Sequence, residues 1–160
     1  MQVFIGLGSN LADPESQVHA AKKALHTLPE TQWIASSSLY KSPPMGPQDQ
    51  PDYINAVIEL ETLLSPHDLL DCLQQIEQQQ GRVRERHWGE RTLDLDLLLY
   101  GNEVIADDRL QVPHPGIAKR AFVIYPLAEI TADIVIPGKG PITTLLAACP
   151  RDGLERFESK

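Results

Sequence analysis

The stretch Thr92-Leu93-Asp94-Leu95-Asp96-Leu97-Leu98-Leu99-Tyr100 alternates leucine with aspartate and then turns wholly apolar. Period-two alternation is the mark of a strand with one face in the core. Leu93, Leu95, Leu97 and Leu99 are expected to point inward. Asp94 and Asp96 are expected to share the other face, with Cα atoms about 6.6 Å apart. Gly101-Asn102 follows as a tight hairpin turn. This acidic strand is the last of six elements, and reading back from it fixes their order.

Before it lies a helix that opens at Ser65-Pro66, an N-cap with proline at the first helical position. Leu69, Leu73 and Ile76 form its buried face, and Gly81 closes it as a left-handed C′ residue. Upstream, 53–60 and 33–40 read as strands, the latter with Trp33, Ala35, Ser37 and Leu39 on one face. They are separated by a loop, 41–52, that carries prolines 43, 44, 47 and 51. A first helix opens at Asp13-Pro14 and repeats Val18, Ala21, Leu25 and Leu28 at helical spacing. Val3-Phe4-Ile5-Gly6-Leu7 is the first strand. The order β-α-β-β-α-β predicts an α+β fold, a ferredoxin-like βαββαβ core with an antiparallel sheet. An extra C-terminal hairpin and short helices, one of them over 121–130, are expected to cover one end of that sheet.

The whole chain, 1–160, is read as one domain, large enough to bury its own core. Its 42% hydrophobic and 22% charged residues are ordinary globular values. A formal net charge of −8 argues against a nucleic-acid partner. No apolar run approaches the ~20 residues a bilayer span needs, and the N-terminus lacks signal-peptide features. Cys72 and Cys149 lack metal-ligand spacing and read as reduced thiols, so a cytoplasmic location is expected.

Two carboxylates on one strand face suit a hard divalent cation such as Mg²⁺, which takes a few carboxylates plus phosphate oxygens and water. The competing reading is a solvated acidic face. The apolar return at Leu98 and Tyr100 favours the metal. Immediately upstream, residues 82–91 hold four of the chain's eight arginines. With two glutamates the segment is net +2, against −10 for the rest. Arginine forks grip phosphate oxygens, and beside metal-holding aspartates they suit phosphoryl transfer. The competing reading is a solvated basic loop. No G-x-x-x-x-G-K-[ST] sequence occurs, so a P-loop fold is disfavoured.

Five signatures converge on one family. They are Gly6-Leu7-Gly8-Ser9-Asn10, the stretch 42–55 (SPPMGPQDQPDYIN), Gln80-Gly81-Arg82-Val83-Arg84, the stretch 88–96 (WGERTLDLD), and Val112-Pro113-His114-Pro115 with Arg120-Ala121-Phe122. Over essentially its whole length the chain resembles the 6-hydroxymethyl-7,8-dihydropterin pyrophosphokinases. The resemblance implies a usually monomeric enzyme with mobile loops over its site. It implies MgATP as donor, with two Mg²⁺ ions, 6-hydroxymethyl-7,8-dihydropterin as acceptor, and AMP as product.

Position by position, the resemblance makes Asp94 and Asp96 metal ligands and makes Arg82, Arg91, Asp94 and Asp96 the catalytic set. The pterin falls to Ser42, Pro43, Pro44, Met45, Tyr53, Asn55, Trp88 and Phe122. ATP falls to Gln74, Glu77, Arg84, Arg91, Leu97, Arg109, His114 and Arg120. Ser42 stands where the family has threonine and keeps the hydroxyl. Tyr53 and Phe122 taken singly read as core aromatics, but two rings can sandwich a flat bicycle, since stacking adds about 0.5–1.5 kcal/mol. Asn55 offers a donor and an acceptor to an amide-like ring edge. Two rivals remain in view: a two-metal nucleotidyl transferase releasing pyrophosphate, and a ligand-sensing domain without chemistry, which has no use for two aspartates beside four arginines.

Overall fold

The computed structural model describes residues 1–10, 13–43, 52–80, 93–151 and 153–157. The basic stretch 82–91 and most of the proline loop therefore lie outside the described residues.

A mixed α/β architecture results. The main sheet is built from β1 (Gln2–Ser9), β2 (Thr31–Ser36), β3 (Leu39–Ser42), β4 (Tyr53–Thr62), β5 (Leu93–Tyr100) and β10 (Glu155–Phe157). Its order is β10-β3-β4-β1-β5, with β2 also on β4, and every pair is antiparallel. Helices α1 (Pro14–His26) and α2 (Pro66–Gln80) bury Val18, Ala21, Leu25, Leu69, Leu73 and Ile76 with Val3, Ile5 and Leu7 of β1. On the opposite face, α3 (Ala121–Ile130) and α4 (Ile142–Ala148) bury Ile124, Leu127 and Ile142 with Phe4, Val57 and Leu98. Each fully buried leucine or isoleucine contributes about 1.5–3 kcal/mol. Two short ribbons, β6 (Ile105–Ala106) with β7 (Gln111–Val112) and β8 (Val135–Ile136) with β9 (Gly140–Pro141), complete the fold.

Local signals act largely where expected. The Ser65 hydroxyl accepts the Asp68 N–H, as a cap should. Asp13 holds the other N-cap position in left-handed backbone, but its carboxylate accepts the Ser16 hydroxyl rather than a backbone N–H.

Three readings need correction. The strand over 33–40 is two pieces, because 37–38 leave the strand and the Ser37 hydroxyl accepts the Val57 N–H. The turn at Gly101 does not open a hairpin from β5. Gly101 N–H returns to Gln2, and β6 pairs with β7 instead. Helix α3, apolar on nearly every side, lies over β3 and β4 and leaves β1 and β5 open at the site described below. Finally, Leu99 does not share the face of Leu93, Leu95 and Leu97. The β1–β5 register slips between Phe4 and Ile5, so Phe4 faces Leu99 while Ile5 faces Leu97. The bulge at Leu98 adds one residue to β5, which turns Leu98 and Leu99 to the α3 side and Tyr100 to the α1–α2 side.

Candidate active site

Register assembles the site. Gly8 of β1 faces Asn55 of β4 on one side and Asp94 of β5 on the other. Gly6 likewise faces Val57 and Asp96. Directly opposed residues in antiparallel strands share a face, so both aspartates and Asn55 stand on the α3 side of the sheet. Between them β1 presents only hydrogen atoms. The two glycines are the floor of a cavity of about 140 Å³. Its walls include Ser42, Pro43, Tyr53, Asn55, Asp94, Asp96, Arg120 and Phe122.

Each wall residue is placed by an identifiable device. Tyr53 opens β4 and faces Ser42 in register. Asn55 is 2% exposed, and its Nδ2 donates to the Ser42 hydroxyl at 2.8 Å. Phe122 sits at the start of α3, with the Arg120 guanidinium 5.8 Å from its ring centroid. Arg120 can lie there because residue 116 is glycine. A Cβ at Gly116 would come within 2.6 Å of Arg120 Nε. His114 is tied at both ends: its N–H donates to Leu98 O, and its Nδ1 accepts the Gly116 N–H at 3.0 Å.

The electrostatics match a cation-seeking site. Burial pushes the Asp96 carboxyl above the usual carboxylate range, and the nearby His114 and Arg120 pull back only in part. Burial lowers His114, with Asp96 opposing that shift and Arg120 adding to it. A desolvated carboxylate two residues along the strand from Asp94 gains most from a divalent cation with phosphate oxygens attached. The donor set therefore fits Mg²⁺.

Other residues singled out from the sequence lie elsewhere. Arg109 Nη2 donates to Asp71 at 2.5 Å and to Gln74 at 3.3 Å, which joins the turn before β7 to α2. Leu97 is 4% exposed and packs among the α1–α2 residues, on the face opposite the aspartates. Glu77 is buried too, and its carboxylate accepts the Leu95 N–H at 2.7 Å. It supports from behind a strand residue that lies eighteen positions further along the chain. Pro44, Met45, Arg82, Arg84, Trp88 and Arg91 fall outside the described residues. Sequence reasoning missed Gly6 and Gly8 as the floor. The signal was present: Gly-x-Gly in β1 has the same period as Asp-x-Asp in β5.

Among the described residues no helix is long and apolar enough to cross a membrane. The family model described as 7,8-dihydro-6-hydroxymethylpterin-pyrophosphokinase matches residues 4–132. A 2-amino-4-hydroxy-6-hydroxymethyldihydropteridine pyrophosphokinase of Haemophilus influenzae is 59% identical over 143 residues, 89% of each chain. The protein of the same name from Pseudomonas aeruginosa is 52% identical over 156 residues, covering 98% of this chain and 96% of its own. Among solved structures, a wild-type Plasmodium falciparum HPPK-DHPS with pteroate superposes with a TM-score of 0.71 at 12% identity, which speaks to the fold. That match covers 92% of this chain and 42% of the longer one. With the family model matched over most of its length and relatives this similar, the chain belongs to the 6-hydroxymethyl-7,8-dihydropterin pyrophosphokinase family.

Proposed function

We propose that the cavity over Gly6 and Gly8 is where this pyrophosphokinase joins the pterin to the pyrophosphoryl group of ATP, an early step of folate synthesis. The observation that carries the assignment is the row Asn55–Gly8–Asp94 across three strands. Two strand spacings are about 9.6 Å. A two-ring heterocycle with a one-carbon arm bridges that span, its amide-like edge at Asn55 and its hydroxymethyl group at the aspartates. Tyr53 and Phe122 supply the stacking faces with Pro43 beside them, and Pro44, Met45 and Trp88 are assigned to the same ligand.

In the transfer, the hydroxymethyl oxygen forms a bond to the β-phosphorus of ATP. The bond from that phosphorus to the oxygen bridging the α-phosphate breaks, its electron pair leaves with AMP, and the alcohol proton is released. Asp94 and Asp96 would hold two Mg²⁺ ions, which would supply charge neutralisation to the phosphates. Arg82 and Arg91 grip the moving phosphates, and Arg84 attends ATP. Gln74, Arg109, His114 and Arg120 serve the nucleotide from the α2 and α3 sides, while Glu77 and Leu97 act through the strand they support.

We further read the sheet as ferredoxin-like. Counting β2 and β3 as one interrupted strand along β4 gives the order β5-β1-β4-β2/β3 of that plan. A single domain over 1–160, a monomer and a cytoplasmic location complete the reading. They are supported by one continuous sheet, a high net negative charge and two cysteines without metal-ligand spacing.

The test is incubation with MgATP and 6-hydroxymethyl-7,8-dihydropterin, followed by nucleotide chromatography. AMP should appear in step with pterin loss. ADP, or free pyrophosphate from attack at the α-phosphate, overturns the reading.

A further inference from the structure

We propose that Gly116 is a positioning residue for the nucleotide: the hollow left by its missing side chain seats Arg120, so that a phosphate meets a guanidinium fork already in place. The inference rests on the reading of the cavity as the pyrophosphoryl-transfer site.

Backbone conformation does not explain this glycine. Glycine is usually required where φ is positive, and the described glycines with that backbone are Gly101, Gly138, Gly140 and Gly153. Gly116 is not one of them, so its conformation suits residues with side chains as well. What a side chain there would meet is a single partner. A Cβ on Gly116 would stand 2.6 Å from Arg120 Nε, 2.9 Å from its Cδ and 3.1 Å from its Cζ. The three nearest heavy atoms thus all belong to Arg120, and the first two lie closer than a real Cβ allows.

A closed turn brings the two residues together. The Gly116 carbonyl accepts the Lys119 and Arg120 N–H groups, both at 3.1 Å, just before α3 begins. The Arg120 carbonyl in turn accepts the Val123 and Ile124 N–H groups at 2.9 Å. Its main chain is held from both sides, and the freedom that remains is in the long side chain. An arginine with that freedom pays rotamer entropy each time it grips a ligand. Here it lies back over Gly116, with its guanidinium 5.8 Å from the Phe122 ring centroid. It is the one cation among the described residues that line the cavity, which also presents Asp94 and Asp96. That lining does not include Gly116 itself, so a methyl group at 116 reaches a ligand only through Arg120.

The experiment is calorimetric titration with α,β-methylene-ATP and Mg²⁺, together with the melting temperature of each protein. The proteins compared are wild type, Gly116→Ala, Arg120→Ala and the Gly116→Ala/Arg120→Ala double variant. Losing a charge-assisted fork should weaken nucleotide binding at least about tenfold in Arg120→Ala. Gly116→Ala should weaken it about three- to tenfold, because the new Cβ displaces the fork without removing it. In the Arg120→Ala background, Gly116→Ala should add less than about twofold, since its effect is routed through the missing guanidinium. The melting temperature of Gly116→Ala should stay within about 4 °C of wild type, because a flexible side chain yields and alanine restricts the unfolded chain.

Wild-type nucleotide affinity in Gly116→Ala beside a weakened Arg120→Ala overturns the proposal and leaves the cavity reading standing. An undiminished loss in the double variant does the same. The glycine then acts through another residue, such as His114, whose Nδ1 accepts the Gly116 N–H at 3.0 Å. A Gly116→Ala protein that fails to fold, or melts far below wild type, shows that the glycine serves the backbone and also overturns it. If Arg120→Ala binds the nucleotide normally, the assignment of Arg120 to ATP falls, and the proposal with it.

Discussion

Gly6 lies directly across the β1–β5 pair from Asp96, and a side chain there would run against Leu98 at 3.4 Å. The aspartate is thus partly buried beside a bare backbone, with Leu98 closing the space below it. A carboxylate held in such a place weakens the unliganded fold, and under the proposed function a bound cation would offset that cost.

Asp96→Asn should accordingly separate stability from activity. Metal-assisted charge stabilisation is worth several kcal/mol, so turnover should drop at least about a thousandfold. The unliganded protein should melt at the same temperature or higher, because a neutral amide is less costly to desolvate. Scanning calorimetry and initial rates decide it. Turnover within tenfold of wild type removes Asp96 from the metal site.

Arg82 and Arg91 should differ from Asn55 in kinetic signature. In the proposed transfer the arginines meet charge that shifts as the bond to AMP breaks, so Arg82→Ala and Arg91→Ala should each lower kcat about 10²–10³-fold. Lysine should rescue only in part, since it keeps the charge and loses the fork. Asn55→Ala should mainly raise the pterin KM, because that ring edge takes no part in bond breaking. Steady-state rates with each substrate varied provide the check. Arginine variants that change only the pterin KM contradict the phosphate assignment.

Glu129 should give the fold an acid-sensitive latch. Its carboxylate accepts the Tyr40 hydroxyl at 2.6 Å, and the Ser38 hydroxyl and N–H at 2.8 and 3.0 Å, joining α3 to the β3 side of the sheet. Burial alone raises its pKa, but the bonds from Tyr40 and Ser38 outweigh this and hold it below the ordinary glutamate value. A carboxyl lowered on folding stabilises the protein above its unfolded pKa of about 4.3, and that stability is lost as pH falls through the lower folded value. Glu129→Ala should cost about 1–3 kcal/mol at pH 7 and flatten the denaturation profile below pH 4.3. A variant with the wild-type slope in that range excludes the latch.

Trp88 fluorescence should report loop closure once Trp33 is removed. Trp33 stacks on His26 at 3.9 Å on the α1 side of the sheet, so its signal is set by that contact and not by the cavity. A Trp33→Phe protein keeps Trp88 as its single indole. Adding pterin with a non-hydrolysable ATP analogue should shift or quench its emission. An unchanged spectrum contradicts closure of the 82–91 segment over the ligands.

Much of this protein is written locally. The alternation in 93–97 alone places Asp94 and Asp96 on one face, and Ser65-Pro66 alone starts α2, because side-chain period and capping depend on residues a few positions apart. The order of strands and helices follows from the same short-range signals. What needed the tertiary structure is everything set by register between distant segments. Asn55, Gly8 and Asp94 form one row only because β4, β1 and β5 pair as they do. The bulge at Leu98 overrides simple alternation, since the apolar end of β5 must feed both cores at once. Glu77 sits three residues before the end of α2, where the family resemblance makes it an ATP contact, and its carboxylate accepts the Leu95 N–H at the back of the acidic strand. Pairing across long loops is governed by the total burial it achieves on both faces of the sheet, and no short window of sequence contains that quantity.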